Sequence, residues 1–368
     1  MKNNKIKKSK LSNFKNKLDF WATNSEEGGW NISSTDEGSQ KMLENENEKQ
    51  IKIQTGTEVV DDFVIDEDTS DDERMIVNMG PQHPSTHGVL RLQAELEGEV
   101  VRRVKPIIGY LHTGMEKTGE ELNYFQGPTN TTRMDYLSPL FNELVFSLTT
   151  EKLIGIEVPK RAETIRILMT ELNRVSSHLV ALATGGMDIG ALSMMIFGFR
   201  ERELILNFFE KTTGLRMNHN YIRPGGVAAD LPDGWQKDVE EILKIIPEKL
   251  QDYDDMLLDN PIWKGRLQNV GILTTEECFA YGVTGPSLRA SGYSWDLRKS
   301  QPYSGIENYE FDVPTLIEGD VFARWRVKVL EIFESLKIIE QAMNNMPKGP
   351  YKIQDKKITP PPRKRLDE

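Results

Sequence analysis

The stretch AETIRILMTELNRVSSHLVAL, residues 162–182, decides the fold class. Within it Ile165, Leu168, Leu172, Val175, Leu179 and Leu182 recur at intervals of three and four without a slip. That is the period of one buried helix face. Working outward, Leu137, Leu140, Leu144, Leu148 and the Leu153-Ile154 end predict a preceding helix. Another spans about 192–212 and stops at Gly214, and a further one occupies about 233–257, with Trp235, Val239, Ile242, Leu243 and Ile246 as its stripe. The last carries Phe322, Trp325, Val329, Ile332, Leu336, Ile339 and Met343 and is stopped by Pro347. Upstream, Ile76–Met79, Val89–Glu97 and Val100–Val104 read as strands, the last two forming a hairpin around Gly98. The expected fold is α+β and mainly helical. A small β-containing lobe (75–134) precedes a long-helix bundle with an inserted mixed segment (135–346), and a C-terminal extension covers 347–368.

Composition narrows the function. The 368 residues carry a net charge of −11, a hydrophobic fraction of 38% and a mean hydropathy of −0.50. No run approaches the roughly 18 apolar residues of a spanning helix. The acidic balance argues against nucleic acid as the main partner, because phosphate binding needs a basic face. A single cysteine, Cys278, cannot build an internal disulfide framework or a Cys-ligated iron–sulfur cluster. It fits a reduced, intracellular setting. Charge is unevenly spread: residues 1–20 hold seven Lys and one Asp, whereas 21–75 are strongly acidic and poor in aromatics. Residues 1–74 therefore read as a disordered charged extension that cannot offset its ordering entropy. Leu11, Phe14, Leu18 and Trp21 lie on one helical face there, flanked by Lys10, Lys15 and Lys17. Two readings stand side by side, a solvated tail and a short basic helix resting on an anionic membrane surface.

Most catalytic signatures are missing. The chain has no GxxxxGK[ST] loop, no GxGxxG after a strand, no GxSxG elbow and no HExxH. Binding of NAD or FMN by this chain alone is not expected, nor is a metal site of its own. Thr184-Gly185-Gly186, read as lying just past a helix, is a weak phosphate-loop candidate. The segment that stands out is Asn78-Met79-Gly80-Pro81-Gln82-His83-Pro84-Ser85-Thr86-His87-Gly88-Val89-Leu90. Its prolines and glycines forbid a helix, so the two histidines form a rigid loop instead of a helical zinc pair. They either cap a turn or act as proton donors near neutral pH.

This loop resembles one near the start of the D-type subunit family of NADH-quinone oxidoreductase, respiratory complex I. The resemblance continues through Gly109–Lys117, Arg133–Pro139, Glu171–Leu179, Gly186–Ala191, Phe199–Glu203, Tyr221–Val227 and Trp295–Tyr303, and covers about residue 75 to the end. It implies a peripheral subunit of a proton-translocating NADH:quinone oxidoreductase on the cytoplasmic side of the inner or plasma membrane. Quinone is the substrate, and NAD(H), FMN and Fe–S clusters sit only on partner subunits. The partners it implies are the B-type and C-type subunits and the membrane-embedded H-type subunit of complex I. It also implies a fold like the large subunit of [NiFe] hydrogenases. That relative holds its metals with two CxxC pairs, and this chain has none.

By motif position the resemblance assigns the quinone headgroup to His87 and Tyr136, with Asp188 behind the histidine. The chemistry agrees, since quinone reduction adds two electrons and two protons and each carbonyl oxygen needs a donor. His87 donates as imidazolium and Tyr136 through its phenol, and Asp188 holds the imidazolium charged. Read without the family, Tyr136 is a helix-start aromatic and Asp188 a helix cap. Arg200, Glu201, Arg202 and Glu203 read as a mixed-charge solvated or interfacial face, and Arg223 as a residue that fixes a turn. The chain departs from some relatives at Gly185, where they carry a histidine. It also stops at Glu368, soon after Pro360–Arg365, where relatives continue into a C-terminal domain. A fragment, a split gene and a truncated protein are the expectations here. A homologue fed by another donor such as ferredoxin, or one serving assembly only, stands as the alternative function.

Overall fold

A computed structural model describes residues 74–83, 86 and 88–355. The extension 1–73 with its amphipathic Leu11–Trp21 face, His87, and the Pro360–Arg365 segment lie outside the described residues. The chain opens with three strands, β1 (Arg74–Met79), β2 (Arg91–Glu97) and β3 (Val100–Ile107), in an antiparallel meander of that order. Val77 pairs with Ala94 and Ala94 with Val104, and a bulge falls at Glu95/Leu96. Gly98, at φ 59°, makes the tight turn that a β-branched residue would resist.

The helices follow. Short α1 (Met115–Glu121) and α2 (Gly127–Thr131) lead to α3 (Pro139–Ile154), α4 (Lys160–Asp188) and α5 (Leu192–Thr213). A two-stranded ribbon, β4 (Ile222–Arg223) and β5 (Gly226–Val227), precedes α6 (Trp235–Leu257). Then come α7 (Pro261–Leu267), α8 (Thr275–Ala280), α9 (Gly285–Ala290), α10 (Leu297–Ser300), a 3₁₀ turn (Ile306–Asn308) and α11 (Val321–Asn344). The expected mainly helical α+β class is what the chain adopts.

The core forms around α4, whose Ile165, Leu168, Leu172, Val175 and Leu179 have no exposed surface. Ile205 and Phe209 of α5 and Val329, Ile332 and Ile339 of α11 pack in the same cluster. Helix ends follow the local chemistry. Gly155 and Gly214 close α3 and α5 in left-handed geometry, and the Asp320 carboxylate accepts the Ala323 N–H to start α11.

One reading is corrected. Thr184-Gly185-Gly186 does not follow a helix; it lies inside α4, which continues to Asp188. The role of the glycine is close approach. A Cβ on Gly186 would stand 2.6 Å from the Met194 Cβ, and one on Gly198 would stand 2.7 Å from the Ala183 Cβ. These positions let α4 and α5 cross nearly backbone to backbone, and they form no loop.

Candidate functional site

The loop after β1 turns sharply at Gly80 (φ 88°), where a Cβ would collide with the Leu90 carbonyl. The Gly80-Pro81 bond is cis. Thr86 is buried, and both its N–H and its hydroxyl donate to the His83 carbonyl at 3.2 Å. The loop that carries His87 is thus pinned at the residue just before it, while His87 itself is outside the described residues.

Tyr136 sits in the turn between α2 and α3, not on a helix. The residue is 47% exposed, and its hydroxyl makes no hydrogen bond among the described residues. The backbone around it is held firmly. Asn173 of α4 donates to the Leu137 carbonyl at 2.9 Å and accepts the Leu140 N–H at 3.1 Å. Asn142 donates to the Asp135 carbonyl at 2.9 Å, and the Asp135 carboxylate accepts the Leu137 N–H at 3.1 Å. A half-exposed phenol on a backbone fixed this tightly is suited to offering a hydrogen bond to a bound group.

Asp188 is the last residue of α4 and is exposed. The capping position falls to the next residue, Ile189. About 22 Å of helix separates Asn173 from Asp188 at 1.5 Å per residue. Tyr136, anchored at Asn173, and Asp188 therefore mark two stations along α4 and share no hydrogen bond.

The structure also contains a buried charge system that motif reading missed. Glu143 of α3 accepts from Thr132 Oγ1 (2.6 Å) and from the backbone N–H groups of Asn220 (2.6 Å), Tyr221 (2.8 Å) and Ile222 (2.9 Å). Two turns on, Glu151 meets Arg166 at 2.5 and 3.0 Å and accepts the Gly225 N–H at 2.7 Å. Arg166 also donates to the carbonyls of Gly226 and Arg223, both at 2.9 Å. Two carboxylates and one guanidinium therefore clamp the Tyr221–Val227 segment from below. Arg223 does hold its turn, through Nε to the Asn220 carbonyl at 2.9 Å.

Farther along α4, Glu171 is shared by Arg174 (3.1 Å), Arg298 (3.1 Å) and Ser335 (2.8 Å). His178 Nε2 lies 2.8 Å from Glu331, whose other oxygen takes Arg289 Nε at 2.7 Å. Burial pushes the His178 pKa down, so the ring is neutral and donates this N–H. Burial would raise the Glu331 carboxyl, but His178 and Arg289 outweigh it and hold it at about 2. Burial likewise works against Asp296, which Arg298 holds at about 2. Both pKa values are depressed in the folded chain, so these groups stabilise it above the ordinary carboxylate range. That stability drains away as the pH falls towards 2. Denaturant titrations from pH 5 to pH 2 should show a steady loss of stability, and Glu331→Gln should flatten the slope. An unchanged slope in that variant would refute the assignment.

The Arg200–Glu203 reading needs correction. Glu201 and Arg202 are buried, at 2% and 7% exposure. Glu201 accepts the Tyr253 hydroxyl at 2.6 Å and Arg200 Nε at 2.9 Å, and Arg202 donates to Ser176 Oγ at 3.1 Å. Charges on the α5 face turned towards α4 and α6 have to be paired there, because water does not reach them. The sequence did hold a signal for such sites: Arg166, Glu171 and His178 stand in the register of the apolar stripe.

Among the described residues no helix is long and apolar enough to cross a membrane, and no cluster of His, Cys, Asp and Glu could hold a metal. Residues 188–368 match the family described as respiratory-chain NADH dehydrogenase, 49 Kd subunit. The chain is 58% identical over 296 residues to a D-type subunit of NADH-quinone oxidoreductase (the one numbered 1) from Salinispora arenicola, covering 80% of this chain and 67% of that protein. It is 58% identical over 292 residues to the D-type subunit of Rhodococcus jostii, covering 79% of this chain and 67% of the relative. Against the D-type subunit of Mycobacteroides abscessus the identity is 54% over 314 residues, or 85% and 73% of the two chains. Identity this high over a span that includes the sheet and the bundle leaves one conclusion: the chain belongs to the D-type subunit family of NADH-quinone oxidoreductase, the 49 Kd subunit of respiratory-chain NADH dehydrogenase.

Proposed function

We propose that this chain supplies the quinone-reducing site of a proton-translocating NADH:quinone oxidoreductase. The observation that carries the reading is Tyr136, a half-exposed phenol with no hydrogen bond among the described residues, on a backbone pinned by Asn142 and Asn173. Quinone takes up two electrons and two protons to become quinol. Tyr136 serves one carbonyl oxygen and His87 the other, and Asp188 keeps the His87 imidazolium charged and returns its proton. Residues 75–134 carry the histidine loop and 135–346 the bundle that aligns it.

Electrons originate on NADH and arrive through FMN and Fe–S clusters held by partner subunits. The B-type and C-type subunits and the membrane-embedded H-type subunit are the neighbours this role requires. The chain lies peripherally on the cytoplasmic side in this reading; among the described residues no helix is long and apolar enough to cross a bilayer.

The test compares wild type with Tyr136→Phe, which removes only the hydroxyl. General acid catalysis contributes on the order of a hundredfold or more, so NADH:quinone reductase activity in membranes should fall by about that factor. Complex content and NADH oxidation by an artificial acceptor should hold. Wild-type quinone reduction in Tyr136→Phe would overturn the assignment and favour a role in assembly.

A further inference from the structure

Asp135 to Ser138 form a β-turn. The Ser138 N–H donates to the Asp135 carbonyl at 3.0 Å, which puts Tyr136 at the first of the two corner positions. Aspartate suits the head of such a turn because its carboxylate accepts the N–H two residues on, here that of Leu137 at 3.1 Å. Pro139 then opens α3, and its ring leaves the helix one N–H fewer to satisfy. Ser138 stands at the N-cap position, yet its side chain makes no capping hydrogen bond. The start of α3 therefore takes no side-chain cap from its own N-cap residue.

Asn173, only 2% exposed, supplies it from α4. Its Oδ1 accepts the Leu140 N–H at 3.1 Å, and its Nδ2 donates to the Leu137 carbonyl at 2.9 Å. Asn142, in the first turn of α3, donates to the Asp135 carbonyl at 2.9 Å. Three successive peptide planes are thus pinned. Asn142 holds the one before Tyr136, the Asp135 carboxylate holds the one after it, and Asn173 holds the next. Because each plane is rigid, rotating the backbone at Tyr136 would break at least one of these bonds. Capping α3 needs only the Asn173 oxygen. The amide nitrogens of Asn173 and Asn142 serve the turn itself.

We propose that Asn142 and Asn173 are positioning residues for the Tyr136 phenol, holding the turn so that the hydroxyl meets a quinone carbonyl oxygen at hydrogen-bond distance. The inference rests on the quinone reading and adds to it two residues that act through Tyr136 without touching substrate. A proton donor has to stand within about 3 Å of its acceptor. A misplacement of about 1 Å can cost on the order of a hundredfold in rate. Side-chain packing does not supply that precision here, since Tyr136 is half-exposed and its neighbour Met134 is 60% exposed. The restraint lies in the backbone, and the two amides make it.

The test is a mutant cycle with Tyr136→Phe, read as quinone turnover per assembled complex in membranes and corrected for the rate in membranes lacking the complex. Asn173→Asp keeps the size of the side chain and the acceptor for Leu140, but replaces the donor to Leu137 with a second oxygen. Asn142→Ala releases the Asp135 carbonyl at a half-buried position. Each should lower quinone turnover about tenfold or more and leave NADH oxidation by an artificial acceptor at the wild-type rate. In the Tyr136→Phe background each should lower turnover by less than about twofold, because the group they position is gone. A side chain that serves only the fold would cost the same factor in both backgrounds, and that result overturns the proposal. So does turnover left unchanged by the two substitutions. Should Asn173→Asp fail to assemble, Asn142→Ala decides alone. Failure of the quinone reading looks different: Tyr136→Phe by itself would reduce quinone at the wild-type rate, and the positioning role would fall with it.

Discussion

Arg166→Met is expected to cost the folded chain about 3–5 kcal/mol, the usual penalty for removing one partner of a buried ion pair. Arg166 has no exposed surface and Glu151 has 4%. Methionine fills the volume of the lost side chain but leaves the Glu151 carboxylate facing only the Gly225 N–H. The carbonyls of Arg223 and Gly226 lose their donor in the same step. For a body of this size the loss should lower Tm by on the order of 10 °C. The double variant Arg166→Met/Glu151→Leu should recover a large part, because an apolar pair removes the stranded charge. Calorimetry on the assembled complex reads both. If the single variant melted at the wild-type temperature, the pair would not be the clamp described.

Glu143→Ala should be of similar severity, for a different reason. The carboxylate accepts four hydrogen bonds, three of them from consecutive backbone N–H groups at Asn220, Tyr221 and Ile222. Asn220 is held there at φ 47°, a backbone shape that needs such support. Each stranded buried donor costs about 1–3 kcal/mol, so the segment should open before the rest of the chain unfolds. Hydrogen exchange should show faster exchange at residues 220–227 while the α4 amides stay protected. Burial pushes the Glu143 pKa up, so its ionisation opposes folding, and the four donors offset part of that cost. Exchange at 220–227 in Glu143→Ala matching that of wild type would show that the grip is dispensable.

Period alone carried a large part of the fold. The α4 stripe is visible because every one of its apolar positions is buried in one core, so the pattern is unbroken. The strands are visible because Gly98 separates two β-branched arms. The polar interior was not legible by the same means. Glu143 and Glu151 look like ordinary charges between apolar residues, and their partners lie 11 to 79 positions away. Arg200 to Glu203 alternate in sign, which is how a solvated face also looks; only the neighbouring helices decide that Glu201 and Arg202 are inside. Gly185-Gly186 misled for a related reason, since a glycine that permits close packing and one that ends a helix are the same letter. In the candidate site, Tyr136 and Asp188 were found by motif, but the Asn142 and Asn173 anchors that give Tyr136 its rigidity come from three-dimensional pairing.

The unbroken course of α4 from Asn173 to Asp188 has a consequence for what the chain can tolerate. A helix turns roughly 100° and advances 1.5 Å with each residue, so position along it and bearing around it are tied together. One residue inserted or deleted between these stations would swing the Asp188 carboxylate to a different side of the axis, and would also throw Gly186 out of phase with Met194. Inserting four residues nearly restores the bearing but moves the acid outward by about 6 Å. Neither change leaves both the angle and the reach intact. The length of this interval is constrained along with its buried side chains: α4 sets both azimuth and distance between the two ends of the proposed site.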